Sequence, residues 1–202
     1  MAASKDFTID QGKTFSQVLR WESPPILYKP ITTITQAAPA RITCPSHGIP
    51  NGWRVAVVSV KGMTQINAGA NPPKDKDYRP VTVVDADTVE LNEVNSADYK
   101  AYTSGGYLQM NTPVDMTDYT ARMSVKDKVG GTELLRLDTT LDNGRITLDP
   151  TACTITLTVS AEDTATLTFK KGVYDLEMVS ADGVVTALLT GNVFVVKEVT
   201  ST

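Results

Sequence analysis

Apolar and polar residues alternate with period two in short runs along most of the chain, the pattern of half-buried β-strands. Phe7-Thr8-Ile9-Asp10 is followed by the turn candidate Gln11-Gly12-Lys13. Thr14–Trp21 then alternates, with Phe15, Leu19 and Trp21 in phase. Later, Thr154–Val159 sets Ile155, Leu157 and Val159 on one face. Tyr174–Val179 and Val184–Leu189 flank Ala181-Asp182-Gly183 and predict a hairpin. Asn192–Val196 predicts a final strand. Asn143-Gly144, within Leu141–Arg145, is the dipeptide favoured in type I′ hairpin turns and precedes Ile146-Thr147-Leu148.

One helix is predicted. Ser160-Ala161-Glu162-Asp163 fits an N-capping pattern, with Ser160 as the cap. Ala165 and Leu167 are expected to face inward, and Lys171-Gly172 to end the turn. Thr164, Thr166 and Thr168 are weak helix residues and limit it to about two turns.

Between Thr32 and Gly106 the texture changes, with more Pro, Gly and Asn. Strand candidates persist at Ala40–Thr43, Trp53–Val58, Val81–Val84 and Thr88–Leu91, with Asp85-Ala86-Asp87 as a turn. Asn71-Pro72-Pro73-Lys74-Asp75-Lys76-Asp77 reads as a polar loop. Short strands cut by such turns close into small barrels or half-barrels.

Composition narrows the function. Of 202 residues, 41% are hydrophobic, enough for a packed core. A net charge of -4, with no basic cluster beyond Lys170-Lys171, leaves no nucleic-acid footprint. The opening Met1–Asp6 has no apolar signal region, and no apolar run approaches the roughly 18 residues of a membrane helix. The expectation is a soluble protein made in the cytoplasm.

The catalytic inventory is thin. His47 is the one histidine and sits in a proline-flanked turn, where its ring is expected to bond a local carbonyl. No G-x-S-x-G elbow accompanies it. Cys44 and His47 have C-x-x-H spacing, but the other thiol, Cys153, is predicted to lie in a different domain, and a closed zinc site takes four ligands. Both thiols are expected to be reduced. Asp75, Asp77, Asp85 and Asp87 are the densest carboxylates. They lack the Gly and distal Glu of a calcium loop. Aromatics, at 6%, are too few and too spread for a sugar-cleaving cleft, and Trp21 and Trp53 are expected to anchor cores. No catalytic residue, cofactor or metal site is predicted.

A resemblance supplies what chemistry does not. Phe7–Phe15, Thr112-Pro113-Val114-Asp115-Met116-Thr117-Asp118-Tyr119-Thr120-Ala121-Arg122-Met123, Gly130-Gly131-Thr132, Asn143–Ile146 and Gly172–Glu177 together resemble the N-terminal domain of tailed-phage baseplate upper proteins. That domain connects a receptor-binding module to the particle core. In that family a short turn leads into the second of these segments; here the segment 32–106 stands in its place. Ala40–Thr43, His47–Trp53, Lys61–Asn67 and Ala101–Gly106 resemble a small β-module of phage tail and head proteins. Searches with such modules often point to a half-domain of ubiquitin-activating enzymes, but the chain has no nucleotide-binding domain to support that chemistry.

The resemblance implies an all-β chain: a discontinuous β-sandwich of residues 1–31 and 107–202, interrupted by a small β-barrel-like module at 32–106. It implies a non-enzymatic structural component of a virion, made in the bacterial cytoplasm. Its partners would be head, tail, baseplate or fibre proteins, and it would be multi-copy or homo-oligomeric in the particle. Open sheet edges invite pairing, so Val193, Phe194, Val195 and Val196, with the tail Lys197–Thr202, are the first docking candidate. The second is the loop with Asn71, Lys74, Asp75 and Asp77, expected to need a partner to order it. Two rivals stand beside this reading: a carbohydrate- or receptor-binding module, favoured if Tyr78, Tyr99, Tyr102 and Tyr107 cluster at the surface, and a small hydrolase.

Overall fold

The structure, a computed structural model, describes residues 2–140 and 145–198. The Leu141–Gly144 part of the expected Asn-Gly hairpin and the tail residues 199–202 lie outside the described residues. The strands are β1 (Ala3–Ser4), β2 (Phe7–Asp10), β3 (Phe15–Arg20), β4 (Glu22–Pro30), β5 (Thr33–Ile34), β6 (Ala40–Thr43), β7 (Arg54–Val58), β8 (Arg79–Pro80) and β9 (Thr82–Val83). They continue with β10 (Thr88–Leu91), β11 (Tyr107–Pro113), β12 (Thr120–Lys126), β13 (Glu133–Asp138), β14 (Ile146–Asp149), β15 (Thr154–Val159), β16 (Lys171–Val179) and β17 (Val185–Val196). One helix, α1 (Ala161–Ala165), and two 3-10 turns, Thr64–Ile66 and Asp75–Asp77, complete the described elements. The fold is all-β.

By its internal contacts the chain divides into Met1–Trp21 with Asp115–Thr202, and Glu22–Val114. These bounds differ from 32–106 because β4 and β11, expected on the sandwich side, pair with each other from Glu22↔Pro113 to Pro30↔Tyr107.

In the first unit, one sheet runs β1–β17–β16–β12–β13, with β2 also on β17, and a second runs β14–β15–β3. The alternation read from sequence sets the buried faces. Ala121, Met123 and Val125 of β12, Tyr174, Leu176 and Met178 of β16, and Ile155, Leu157 and Val159 of β15 are all buried. Each large side chain so buried contributes about 1.5–3 kcal/mol. Because the side-chain period is two, a one-residue slip would expose all three apolar residues of β15, so register is firmly specified. Gly183, at φ +80°, turns β16 into β17. β17 is one twelve-residue strand with a register shift near its middle, where two strands were expected.

The helix is shorter than expected. The Ser160 hydroxyl accepts the Asp163 N–H at 3.0 Å, as its capping role requires. Thr164, rather than Ala165, is the buried position. Its hydroxyl reaches the carbonyls of Lys13 and Ala161, both at 2.9 Å, and a satisfied hydroxyl can be buried at little cost. The helix ends before Thr166, and Lys171-Gly172 opens β16 instead of closing a turn.

Asp138 ends β13 almost fully buried. Burial pushes its carboxyl pKa up. The Arg136 guanidinium at 2.9 Å and the N–H and hydroxyl of Thr140 outweigh that and hold the pKa below its ordinary 3.8. A depressed folded-state pKa stabilises the fold above the unfolded value, and that contribution is lost as pH falls through the folded value. Urea midpoints measured from pH 6 down to pH 2 should therefore fall below about pH 4, and Asp138→Asn should flatten the fall. An equally steep fall in the variant would show that other carboxylates carry it.

In the second unit, one sheet runs β4–β11–β7–β8 and another β5–β6–β10–β9. Val55, Val57, Leu108 and Met110 from the first, and Ile34, Ile42, Val89 and Leu91 from the second, are buried. Trp53 is fully buried, and its indole N–H donates to the Asn111 carbonyl at 3.2 Å.

Candidate docking surfaces

The segment Val193–Val196 is not an open edge. It pairs with β2 on one side, Phe7↔Val193 to Asp10↔Val196, while Val193 and Phe194 pair with Gly172 and Lys171 of β16 on the other. The chain's own β2 fills the edge that was expected to be free. Val193 and Val195 are core residues, Phe194 is half-buried under the Lys171 ammonium at 5.6 Å, and only Val196 offers a largely exposed side chain. Docking there by strand addition would require β2 to leave.

The loop Asn71–Asp77 is ordered from within. Asp77 accepts the Lys74 N–H at 2.8 Å and the Gly69 N–H at 3.1 Å, so its carboxylate closes the short 3-10 turn Asp75–Asp77. These bonds hold its pKa below the ordinary carboxylate range, the Lys74 bond most. Asp75 accepts from Arg54 at 3.0 Å. Arg54 also makes a two-pronged bond to Glu22, at 2.6 and 2.9 Å, and lies 5.6 Å from the Tyr78 ring centre. A guanidinium fork matched to a carboxylate fixes both groups. The loop is thus held by contacts from within the chain. Asn71 and Lys74 are exposed on it.

His47 is buried in the turn it was read from. Its Nδ1 accepts the Ile49 N–H at 2.9 Å and its Nε2 lies 3.0 Å from the Asp85 carbonyl, which fixes the Nε2–H tautomer. Both nitrogens are thus occupied by backbone. Asp85 and Asp87 are likewise spent on the turn: Asp85 accepts the Asp87 N–H at 2.8 Å and Asp87 the Ser46 N–H at 2.7 Å. Cys44 is buried, and burial pushes its thiol up to about 11; Cys153 is buried and free in the other unit. Among the described residues no group of three His, Cys, Asp or Glu side chains could hold a metal. Replacing His47 with Ala would strand the Ile49 N–H and leave a cavity. His47→Ala should lower stability by about 2–4 kcal/mol, read as a shifted urea midpoint. An unchanged midpoint would mean the ring is dispensable to the turn.

The accessible edges are elsewhere. β4 is an edge strand with one free side. Pro24, Pro25 and Pro30 remove three of its N–H donors, a device that blocks uncontrolled pairing. β13 is an edge of the other unit, and Arg145 caps its Arg136 carbonyl at 3.1 Å. On the outer face beside β4, Tyr28 and Tyr107 meet edge to face at 6.1 Å between ring centres, 55% and 44% exposed, with Ile26 exposed nearby on β4. The sequence reading missed Ile26 and Tyr28, because the prolines hid the alternation of Ser23–Lys29. The tyrosine cluster that would favour a receptor-binding module is not seen: among the described ring contacts none joins Tyr78, Tyr99, Tyr102 and Tyr107 to one another. The Tyr78 hydroxyl is taken by Gln109 at 2.7 Å and the Tyr102 hydroxyl donates to Ile31 at 3.1 Å.

No protein-family model matches the sequence, and no curated protein is significantly similar to it.

Proposed function

We propose that the chain is a structural component of a tailed-phage virion that docks to head, tail, baseplate or fibre proteins. The observation that carries the reading is the pattern of residues resembling the baseplate upper protein domain. Phe7–Phe15, Gly130–Thr132, Gly172–Glu177 and, from Asp115 on, Thr112–Met123 are far apart in sequence, yet belong to the unit Met1–Trp21 with Asp115–Thr202; Thr112–Val114 fall in the other unit. A scaffold in which His47 and the aspartate turns are spent on backbone bonds also suits a docking role better than acid–base chemistry. Mass spectrometry of gradient-purified particles from the source culture tests the reading. The chain should be present at many copies per particle and be labelled on the particle by an antibody in electron microscopy. Its absence from intact particles would sink the proposal.

A glycan- or receptor-binding role is the second reading, favoured by the exposed Tyr28–Tyr107 pair. A glycan array probed with the purified chain and with Tyr28→Ala separates the two. Binding abolished by the substitution would support the second reading.

A further inference from the structure

The two strongest polar clusters are accounted for: the Glu22–Arg54–Asp75 network holds a loop, and the His47 turn satisfies backbone. The outer face of the sheet of β12, β16 and β17 is different, because its groove has lysines with no ion-pair partner among the described residues. Ser124, Asp175 and Thr190 lie in register across the three strands, and Lys126, Val173 and Asn192 form the next row. Above these rows stands the β12–β13 turn, which carries Lys128, Val129 and Gly130. All of these but Asn192 line a groove of about 480 Å³, within the range of sites that hold a ligand or a short peptide segment.

Two features of this groove call for a partner. Val129 is 92% exposed at its rim, although Asp127 braces the turn by accepting the N–H groups of Lys128 at 2.9 Å and Thr132 at 2.8 Å. The turn thus holds out an apolar side chain on a fixed backbone. Lys126 and Lys128 have no ion-pair partner among the described residues. Lys171, two residues before Val173 on β16, shares its face of the strand. Asp175 is the one carboxylate in the lining. Within the lining itself, Lys126 and Lys128 outnumber Asp175 by one, on a chain whose net charge is -4.

We propose that this groove docks an acidic segment of a partner protein, with an apolar side chain seated against Val129 and Val173 and flanking carboxylates facing Lys126 and Lys128. The groove floor consists of three strands, each paired on both sides, so recognition is by side chains and not by strand addition. Opposite charge across the rim sets specificity and speeds association, and it makes binding sensitive to salt. The inference rests on the docking reading only in taking the ligand to be a polypeptide.

The test is selection of a random dodecapeptide library on the full chain, followed by synthesis and titration of the consensus peptide. The expected consensus has at least two carboxylates around an apolar residue. Amide shifts should centre on Lys126, Val129, Val173 and Thr190. The Lys126→Glu, Lys128→Glu double variant should weaken binding at least tenfold with its melting curve unchanged. Val129→Asp, at an exposed position, should weaken binding without affecting the fold. No enrichment, a consensus without carboxylates, shifts elsewhere, or undiminished binding to the double variant would each overturn the proposal. A dimer of the free chain that the double variant dissolves would assign the groove to a second copy and equally overturn it. Particle composition is measured independently. Acidic peptides bound by a chain that is absent from particles would leave the groove standing and remove the virion reading.

Discussion

Truncation after Gly191 is expected to unfold the unit formed by Met1–Trp21 and Asp115–Thr202, and not merely to remove a docking strand. The lost residues include Val193 and Val195, both core side chains worth about 1.5–3 kcal/mol each. They also include Val193–Val196, the part of β17 on which β2 is paired, so Phe7 and Ile9 lose their place in the core as well. The combined loss is comparable with the roughly 5–15 kcal/mol that holds a typical domain folded. Amide spectra of the truncated chain should lose the dispersed signals of this unit. A spectrum that keeps them would show that β2 and β16 hold without the Asn192–Val196 part of β17. Truncation therefore cannot test docking through this strand. Val196→Asp can, because that side chain is half-exposed and its ladder bonds are backbone ones. It should leave the fold intact, so any loss of particle incorporation would be attributable to the surface.

The second large effect is expected at Trp53. Its side chain is fully buried and its N–H is satisfied by the Asn111 carbonyl. Asn111 in turn donates to Glu22 at 2.7 Å, and Glu22 grips Arg54. Trp53→Ala should cost about 3–5 kcal/mol by leaving a cavity. Trp53→Phe keeps most of the volume, and its loss of the hydrogen bond should cost nearer 1 kcal/mol. Thermal melts followed by circular dichroism would rank the two. Equal costs would mean that the hydrogen bond, and not the packing, dominates. With Trp53 replaced, Trp21 is the only tryptophan left. Its fluorescence then reports the unit in which it meets Tyr119 at 5.8 Å.

The docking candidates differed in how far they could be read in advance. Val193–Val196 was correctly read as a strand from its composition, but whether a strand is an edge depends on what lies beside it. Here the neighbour is β2, from the opposite end of the chain. No local pattern encodes a pairing across that separation. The loop Asn71–Asp77 was legible as polar and turn-rich. Its order comes from Arg54, reaching over from β7, and from Asp77 turning back on Lys74 and Gly69. The groove beside Val129 left no mark on the sequence, because its lining comes from β12, the following turn, β16 and β17.

What the sequence determined by itself is the strand class of most segments and the face each one buries. Period-two alternation acts over a few residues and is enforced by burial alone, as in Ile155, Leu157 and Val159. It also determined the Ser160 cap, since a hydroxyl three residues before an N–H can close that bond without outside help. Tertiary structure decided the rest. It paired β4 with β11, placing 22–31 and 107–114 in the unit whose bounds had been read as 32–106. It buried Thr164 in place of Ala165 by giving its hydroxyl the Lys13 carbonyl. It put β17 inside its sheet and placed Lys126, Lys128 and Val129 along one groove. Alternation tells a strand which side to bury. Only the assembled sheet determines which strands lie next to one another and which charges are left unpaired.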